Sequence, residues 1–448
     1  MITQQRVIDL LHGLQQDDLA LGIELLNEKQ LSFFYERLAK YGAATLAIQR
    51  ERLAHKNRLS LEEAMPPAYE EPSELTDIIG FKQVALGKVA CVLLAGGQGT
   101  RLSSVRPKAL VPVSPIIGKT LLQMAMEKTK VLSDYVSYPL QIAIIVSDKT
   151  IQDIELYLFE NSFFGLDRSQ ITLVCQDNMP FLTKDGGWCL ESPGVLAEGP
   201  NGNGRSFLSL DRCGVLEKWS NMGVEYINVI PIDNPLADPY PFGLIGIHEQ
   251  KKVDIAFKAI ERTDPSESVG VVAILPQGLR ILEYSDIDQT HLAASHAVAF
   301  LANVGLISFR LSFVQQHLTQ IEAMPWHLAS KSVNVLDLTH RPFKKEVWKF
   351  ESFIFDIFEY AQDIAVVKYL REDCYSPLKN QSGYKSLESV QRDLFIKYKK
   401  IYSELSGLPA PNKDFELASQ FWYPTEAIKE YWKGRLLPEK AYIEPGLL

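Results

Sequence analysis

The 448 residues are 46% hydrophobic and 23% charged, the averages of soluble globular proteins, which argues against disordered, collagen-like and coiled-coil classes. With 55 Asp and Glu against 46 Lys and Arg, the net charge is −9; such a chain lacks the electrostatic footprint of a duplex binder but leaves room for a local basic pocket for phosphates. Cys91, Cys175, Cys189, Cys213 and Cys374 are scattered without a CxxC pair, which points to reduced thiols in the cytoplasm and away from a zinc site or disulfide framework. The N-terminal stretch carries Asp residues and no long apolar core, so it does not read as a signal peptide. The apolar run Val89–Ala95 is too short to cross a bilayer. Neither nucleic acid nor membrane is an expected partner, and composition says nothing of oligomeric state.

In chain order, residues 1–60 read as helices. Val7, Leu10, Leu11 and Leu14 recur at helical spacing, as do Leu31, Phe34, Tyr35 and Leu38, and Gly42 is placed to stop the second run. A helical cap on the main body is expected. The polar, proline-bearing stretch Glu62–Ser73 reads as a linker or surface traverse. From about Gly87, short apolar runs alternate with longer helical segments: Val89–Leu94, Gln141–Val146, Ile171–Val174, Tyr226–Ile232, Val253–Phe257, Val269–Leu275 and Leu279–Tyr284. Continuous apolar runs predict strands buried on both faces, joined by right-handed βαβ crossovers. The closely spaced later runs predict an antiparallel addition, so the fold class is α/β with a mixed sheet. Beyond about Leu370 the chain is polar and helical, broken by Pro409, Pro411 and Pro424. The expected division is a helical segment and linker over 1–75, a catalytic domain over 76–360 and a small C-terminal domain over 361–448.

Directly after Val89–Leu94 comes Ala95-Gly96-Gly97-Gln98-Gly99-Thr100-Arg101-Leu102, then Pro107-Lys108. The loop leaving the carboxyl end of an early parallel strand is where such sheets bind ligands. Its three glycines let backbone N–H groups approach phosphate oxygens and a flat base. Arg101 adds a fork of donors and Lys108 a compact charge. A P-loop is excluded because no Lys-Ser or Lys-Thr follows Gly99 at the required spacing, and a dinucleotide fingerprint because Leu102 stands where its last glycine belongs.

The segment LAGGQGTRLSSVRPK resembles the L-x-G-G-x-G-T-R-L-G-x-x-x-P-K signature of the eukaryotic-type UDP-sugar pyrophosphorylases, and most closely the UDP-N-acetylhexosamine pyrophosphorylases, with Ser103 in place of a glycine. Further segments match in order. Cys175-Gln176-Asp177-Asn178-Met179-Pro180 is similar to the family's Q-Q-x-x-x-P, whose second Gln reads the uracil edge; an amide can donate and accept together, as a pyrimidine requires. Pro200-Asn201-Gly202-Asn203-Gly204 resembles the P-D-G-N-G-G turn against uracil and ribose, with Arg205 replacing its last glycine. Ile230-Pro231-Ile232-Asp233-Asn234 ends a buried strand with an acid. Glu261–Val272 resembles E-K-T-N-P-x-E-P-V-G-V-V, Glu283-Tyr284-Ser285 the E-Y-S segment, and Asn303-Val304-Gly305 the N-A-G turn. Pro325–Lys331 resembles P-Y-H-V-A-Q-K, and Trp348–Asp356 resembles I-K-M-E-K-F-V-F-D. Arg371-Glu372-Asp373 with Ser376–Asn380 matches R-E-D-x-x-S-P-L-K-N, for which an architectural role is expected.

The resemblance implies a Rossmann-like mixed sheet of the nucleotidyltransferase (GT-A-like) type and an enzyme that joins UTP to a sugar 1-phosphate with release of pyrophosphate. It assigns Arg101, Lys108 and Lys349 to catalysis on the phosphates. It places Ala95, Gly96, Gly97, Gly99, Thr100, Gln176, Gly202 and Asn203 at the nucleotide, and Asn234, Gly270, Glu283, Asn303 and Lys331 at the sugar. Mg2+ is the implied cofactor, with Asp233 as its ligand, because Mg2+ on a triphosphate typically keeps several waters and one or two carboxylates. The wording QGTRL and PWHLASK favours N-acetylglucosamine 1-phosphate. Glucose 1-phosphate is the alternative, and a non-catalytic nucleotide-sugar sensor a further one, against which the retained Arg101, Lys108 and Lys349 speak.

Overall fold

The protein is described from a computed structural model, covering residues 2–54, 64–99, 102, 106–264, 267–283, 287, 300–337, 339 and 341–446. It divides into two compact units: Met1–Arg58 with Gln176–Arg205 and Glu322–Asp356, and Leu59–Cys175 with Ser206–Ile321 and Ile357–Leu448. These units cut across the consecutive boundaries read from the sequence.

The larger unit is built on a nine-stranded sheet. Its strands, numbered in chain order, are β1 (Val89–Leu94), β2 (Ile142–Val146), β3 (Ile171–Cys175), β4 (Tyr226–Pro231), β5 (Ile255–Glu261), β6 (Gly270–Leu275), β7 (Gly278–Leu282), β8 (Leu301–Arg310) and β9 (Ile364–Lys368). The order runs β7-β6-β8-β4-β1-β2-β3, and β5 pairs with β8 on one side and β9 on the other. β1, β2, β3 and β4 run parallel to one another, while β8 runs antiparallel to β4, β5 and β6. The mixed sheet follows the expected pattern: β1 and β2 are apolar and buried almost throughout, as strands covered on both faces must be. The helices Leu121–Val136 and Ile151–Glu160 carry the β1–β2 and β2–β3 crossovers.

β8 and β9 went unread. β8 is long and bent: Ala259 lies opposite Asn303 but Phe257 opposite Ile307, and Gly305 within the bend has φ +72°. The expected turn at Asn303-Val304-Gly305 is therefore a bulge inside a strand, which breaks the apolar run that would have marked it. The traverse before the sheet is bound to it, with Met65 paired to Ile274 and Glu70 to Val367. The C-terminal region is no satellite, since Leu394, Tyr398, Phe415 and Trp432 are buried in one cluster with Val84, Leu121 and Ile142.

In the smaller unit, the helix Gln4–Gly13 is capped by Thr3, which accepts from the Arg6 N–H. The helical stretch Glu28–Ala54 is broken at Gly42, where φ is +62° and ψ −175°, a conformation open essentially to glycine alone. Val7, Leu11, Phe34 and Leu38 bury against Met179, Leu182, Trp188 and Phe350. The N-terminal helices thus share a core with residues 176–205 and 322–356, which corrects the expectation of a cap on the main body.

Candidate active site

In the larger unit, β2 and β3 lie to one side of β1 and β4 to the other. The strand order reverses between β1 and β4, and the crevice beyond the carboxyl ends at such a switch point is the ligand site of open α/β sheets. The glycine loop leaves β1 here, and Asp233 follows β4. The Ala95 N–H donates to the Ile145 carbonyl, the Ile232 N–H to the Leu94 carbonyl and the Lys108 N–H to the Gly97 carbonyl at 3.2 Å. The loop therefore closes on itself and delivers Lys108 back to the strand end. Gly97 is exposed, and a β-carbon there would reach within 3.9 Å of the Lys108 side chain. Gly99 has φ +68°. Thr100 and Arg101 lie outside the described residues.

Lys108 Nζ donates to Asp233 Oδ2 at 2.9 Å, with 15% and 17% of the two side chains exposed. Burial raises the Asp233 carboxyl pKa, but Lys108, Lys379 and Lys385 outweigh it and hold the group below the usual carboxylate value. The loop is pinned from behind. Asn234 Nδ2 donates to the Cys374 carbonyl at 2.6 Å, and Asn234 Oδ1 accepts from the Ser376 N–H. With only 3% exposed, Asn234 is committed to the chain itself, so the contact expected of it with sugar becomes a positioning role. The Leu378 N–H donates to the Asp233 carbonyl at 2.8 Å. The Ser376–Asn380 motif thus does more than close the domain: it sets Lys379 near Asp233, a cation the sequence alone left without a role.

Of the residues expected at the sugar, Gly270, Glu283 and Asn303 gather on or directly after β6, β7 and β8. Gly270 lies opposite Asn303, and a β-carbon on Gly270 would stand 2.9 Å from Ile281 Cγ2. Glycine is required there by the close approach of β7. Asn303 Oδ1 accepts from the Gly305 N–H at 3.0 Å, which ties the amide to the bend. Glu283 directly follows β7 and is partly exposed.

In the smaller unit, the Asn201 N–H donates to the Asp177 carbonyl at 3.1 Å, so the segments carrying Gln176 and Gly202 meet although 23 residues of sequence separate Asp177 from Asn201. The turn is zipped to the 352–354 backbone: Ser352 N–H to Asn201 O, Gly204 N–H to Ser352 O, and Ile354 N–H to Asn203 Oδ1. Gly202 has φ +87°, and a β-carbon on it would fall 2.3 Å from the Ser352 carbonyl. Lys349 and Glu351 share one face of the strand Pro342–Glu351 and pair at 2.5 Å. Lys349 therefore stands on a strand. Lys331 lies on the neighbouring strand His327–Leu336, its Nζ 5.3 Å from the Phe181 ring centre. Arg205 turns away to the Glu322 and Met324 carbonyls and stacks 3.7 Å over Trp326, and burial lowers its pKa to about 10.

Residues 45–417 match the family described as UTP–glucose-1-phosphate uridylyltransferase. The chain belongs to this family. It is 30% identical to a probable UDP-N-acetylglucosamine pyrophosphorylase of Schizosaccharomyces pombe, over 85% of this chain and 84% of that protein. It is 33% identical to UDP-N-acetylglucosamine diphosphorylase 1 of Arabidopsis thaliana, over 68% of this chain and 63% of that protein. The solved uridine diphosphate N-acetylglucosamine pyrophosphorylase of Trypanosoma brucei, in complex with inhibitor, superposes with a TM-score of 0.77 over 90% of this chain and 86% of its own, at 22% identity. The mixed sheet is thus the nucleotidyltransferase-type sheet of the UDP-sugar pyrophosphorylases.

Mg2+ is commonly held by one or two carboxylates together with substrate phosphates and water. Among the described residues no group of three His, Cys, Asp or Glu side chains could hold a metal alone, and Asp233 provides such an acid. Among the described residues no helix is long and apolar enough to cross a membrane.

Proposed function

We propose that this uridylyltransferase joins UTP and N-acetylglucosamine 1-phosphate, giving UDP-N-acetylglucosamine and pyrophosphate. The observation that carries the reading is the Lys108–Asp233 pair, held at the switch point of the sheet by a glycine loop that presents its backbone. The sugar phosphate oxygen is already anionic and attacks the α-phosphorus in line, so no general base is needed, and none is asked of the eight dispersed histidines. The chain's work is positioning and charge neutralisation. The amides of Gly96, Gly97 and Gly99, together with Thr100, receive phosphate oxygens and sit against the base beside Ala95. Arg101, Lys108 and Lys349 stabilise the charge that grows on the leaving pyrophosphate. Gln176 reads the uracil edge, with Gly202 and Asn203 against uracil and ribose. Glu283 and Asn303 take sugar hydroxyls, Gly270 leaves room at the 2-substituent, Lys331 lies on the sugar side, and Asn234 keeps Asp233 in place.

Mg2+ would be held by Asp233 and would neutralise part of the triphosphate charge. Lys108, at the same strand end, would offer its ammonium to phosphate oxygens. The free thiols of all five cysteines support a reducing compartment, the cytoplasm. The choice of N-acetylglucosamine over glucose is supported by the printed names of the relatives and by the QGTRL and PWHLASK wording. Pyrophosphate release from UTP with a panel of sugar 1-phosphates tests it. Preference for glucose 1-phosphate would move the protein to the alternative reading, and no release with any sugar would end the enzyme reading.

A further inference from the structure

Away from the catalytic edge, the larger unit carries a cleft of about 1470 Å3 between the helices Glu74–Ala85 and Leu387–Ser406, with the start of the helix Phe242–Lys251 at its base. It is roomier than the roughly 300–1,000 Å3 of an ordinary small-molecule site, so its deepest groups decide what it holds. Phe81, Phe242, Tyr369, Trp422 and Tyr423 line it. So does Lys258, which is 5% exposed, with Nζ 4.1 Å from the centre of the Tyr369 ring. Among the described residues no hydrogen-bond or ion-pair partner reaches that Nζ. The stem is buried while Nζ opens to the cleft, so an anion entering there meets an ammonium with no contacting anion of its own.

Of the acids that line the cleft, Glu74, Glu404, Glu426 and Glu430 are exposed to solvent, and Asp238, Asp373 and Asp77 are engaged elsewhere or stand off. Asp238 accepts from the Tyr423 hydroxyl and the Tyr240 N–H. Asp373 is held by Lys397 and Lys400 at 2.7–2.9 Å. Asp77 lies beyond ion-pair distance of Lys258, against Gly243, and burial raises its carboxyl pKa despite the opposing pull of Lys258. The helix Phe242–Lys251 begins at Pro241 with no side-chain cap. Its first turn lines the same cleft at Phe242 and Gly243.

We propose that this cleft is a second binding site, taking a small aromatic anion. The ring stacks among Phe242, Tyr369 and Trp422, and the carboxylate, sulfonate or phosphate takes Lys258. The site is distinct from the catalytic edge yet shares its chain, because Leu236, Asp238 and Pro241 continue directly from Asp233 and Asn234. The proposal does not rest on which sugar is used. The probe is 8-anilinonaphthalene-1-sulfonate, titrated by fluorescence into the full-length protein at saturating UTP. Binding is expected to persist under UTP, to weaken tenfold or more in Lys258→Met, and to weaken likewise in Ile78→Trp, which fills the cleft from its exposed rim. Both variants should retain turnover within twofold. Benzoate should displace the probe where inorganic phosphate at equal concentration does not. Loss of binding on adding UTP, equal displacement by phosphate, or unchanged binding in the variants overturns the proposal. Should Lys258→Met fail to fold, Ile78→Trp decides alone.

Discussion

At Asp233, burial works to protonate the carboxyl and three lysines work to ionise it, and the lysines prevail. Its folded pKa lies below its ordinary 3.8, so the pair stabilises the fold above that value, and the contribution is lost as pH falls through the lower folded value. Asp233→Asn leaves Lys108 without its partner at a largely buried site; breaking such a pair costs about 3–5 kcal/mol at full burial and less with the present exposure. Activity should fall about a hundredfold or more, the scale of losing one electrostatic stabiliser. Steady-state kinetics beside a thermal melt separates the two effects, and near-normal turnover would remove Asp233 from the site.

Gln176→Ala should raise the KM for UTP and blur selection against CTP, because a site built to pair a base rejects analogues by leaving its own groups unpaired. Unchanged UTP-over-CTP selectivity would exclude Gln176 from the uracil edge. Lys349→Ala and Arg101→Ala should each lower kcat about a hundredfold with less effect on KM, since charge on the leaving group grows only in the transition state. Lysine should rescue Arg101 only in part, lacking the planar fork. Wild-type turnover from both alanine variants would show the phosphate site to lie elsewhere.

Among the elements, the helix Phe242–Lys251 is locked to the sheet by His248. Its Nε2 donates to the Val253 carbonyl at 3.0 Å, and its Nδ1 meets Ser308 Oγ on β8 at 2.8 Å. Burial, with repulsion from Arg310, lowers its pKa from 6.5 to about 3. The unfolded chain therefore binds the proton first, so stability is full above pH 6.5 and falls as the solution is acidified toward 3. The slope from this group is about 1.4 kcal/mol per pH unit. Urea midpoints measured from pH 7 to 4 should show it, and His248→Gln, which keeps a donor for the Val253 carbonyl, should flatten that part of the curve. An unchanged slope would mean that the acid sensitivity arises elsewhere.

On the scale of the whole molecule, the C-terminal region is part of the main core. A chain ending at Ser386 would lack Leu394, Tyr398, Phe415 and Trp432, which are buried in one cluster with Val84, Leu121 and Ile142. Loss of several large buried side chains, each worth about 2–5 kcal/mol, exceeds the roughly 5–15 kcal/mol by which domains are stable. The truncated protein should be insoluble or lack a cooperative melt. A soluble truncation with a cooperative melt would restore the region to a separate domain.

The strands β1 to β7 were readable because each is a short apolar run between turn residues, and that pattern is local. So were the glycine loop and the motif residues, whose spacing along the chain carries their chemistry. β8 was hidden because its bend at Gly305 interrupts the run, and β9 because Ile364–Lys368 is short and follows a polar turn. Tertiary structure alone decided which segments share a core: the N-terminal helices with residues 176–205 and 322–356, and the C-terminal helices with the large sheet. It alone set Lys108 on Asp233, which lies 125 residues further along the chain, drew Lys379 toward them, and gave the Asn234 amide to the backbone of residues 374–376. Local sequence specifies what each segment can form; which charges meet is set by the closure of loops across the whole chain, and no local pattern records it.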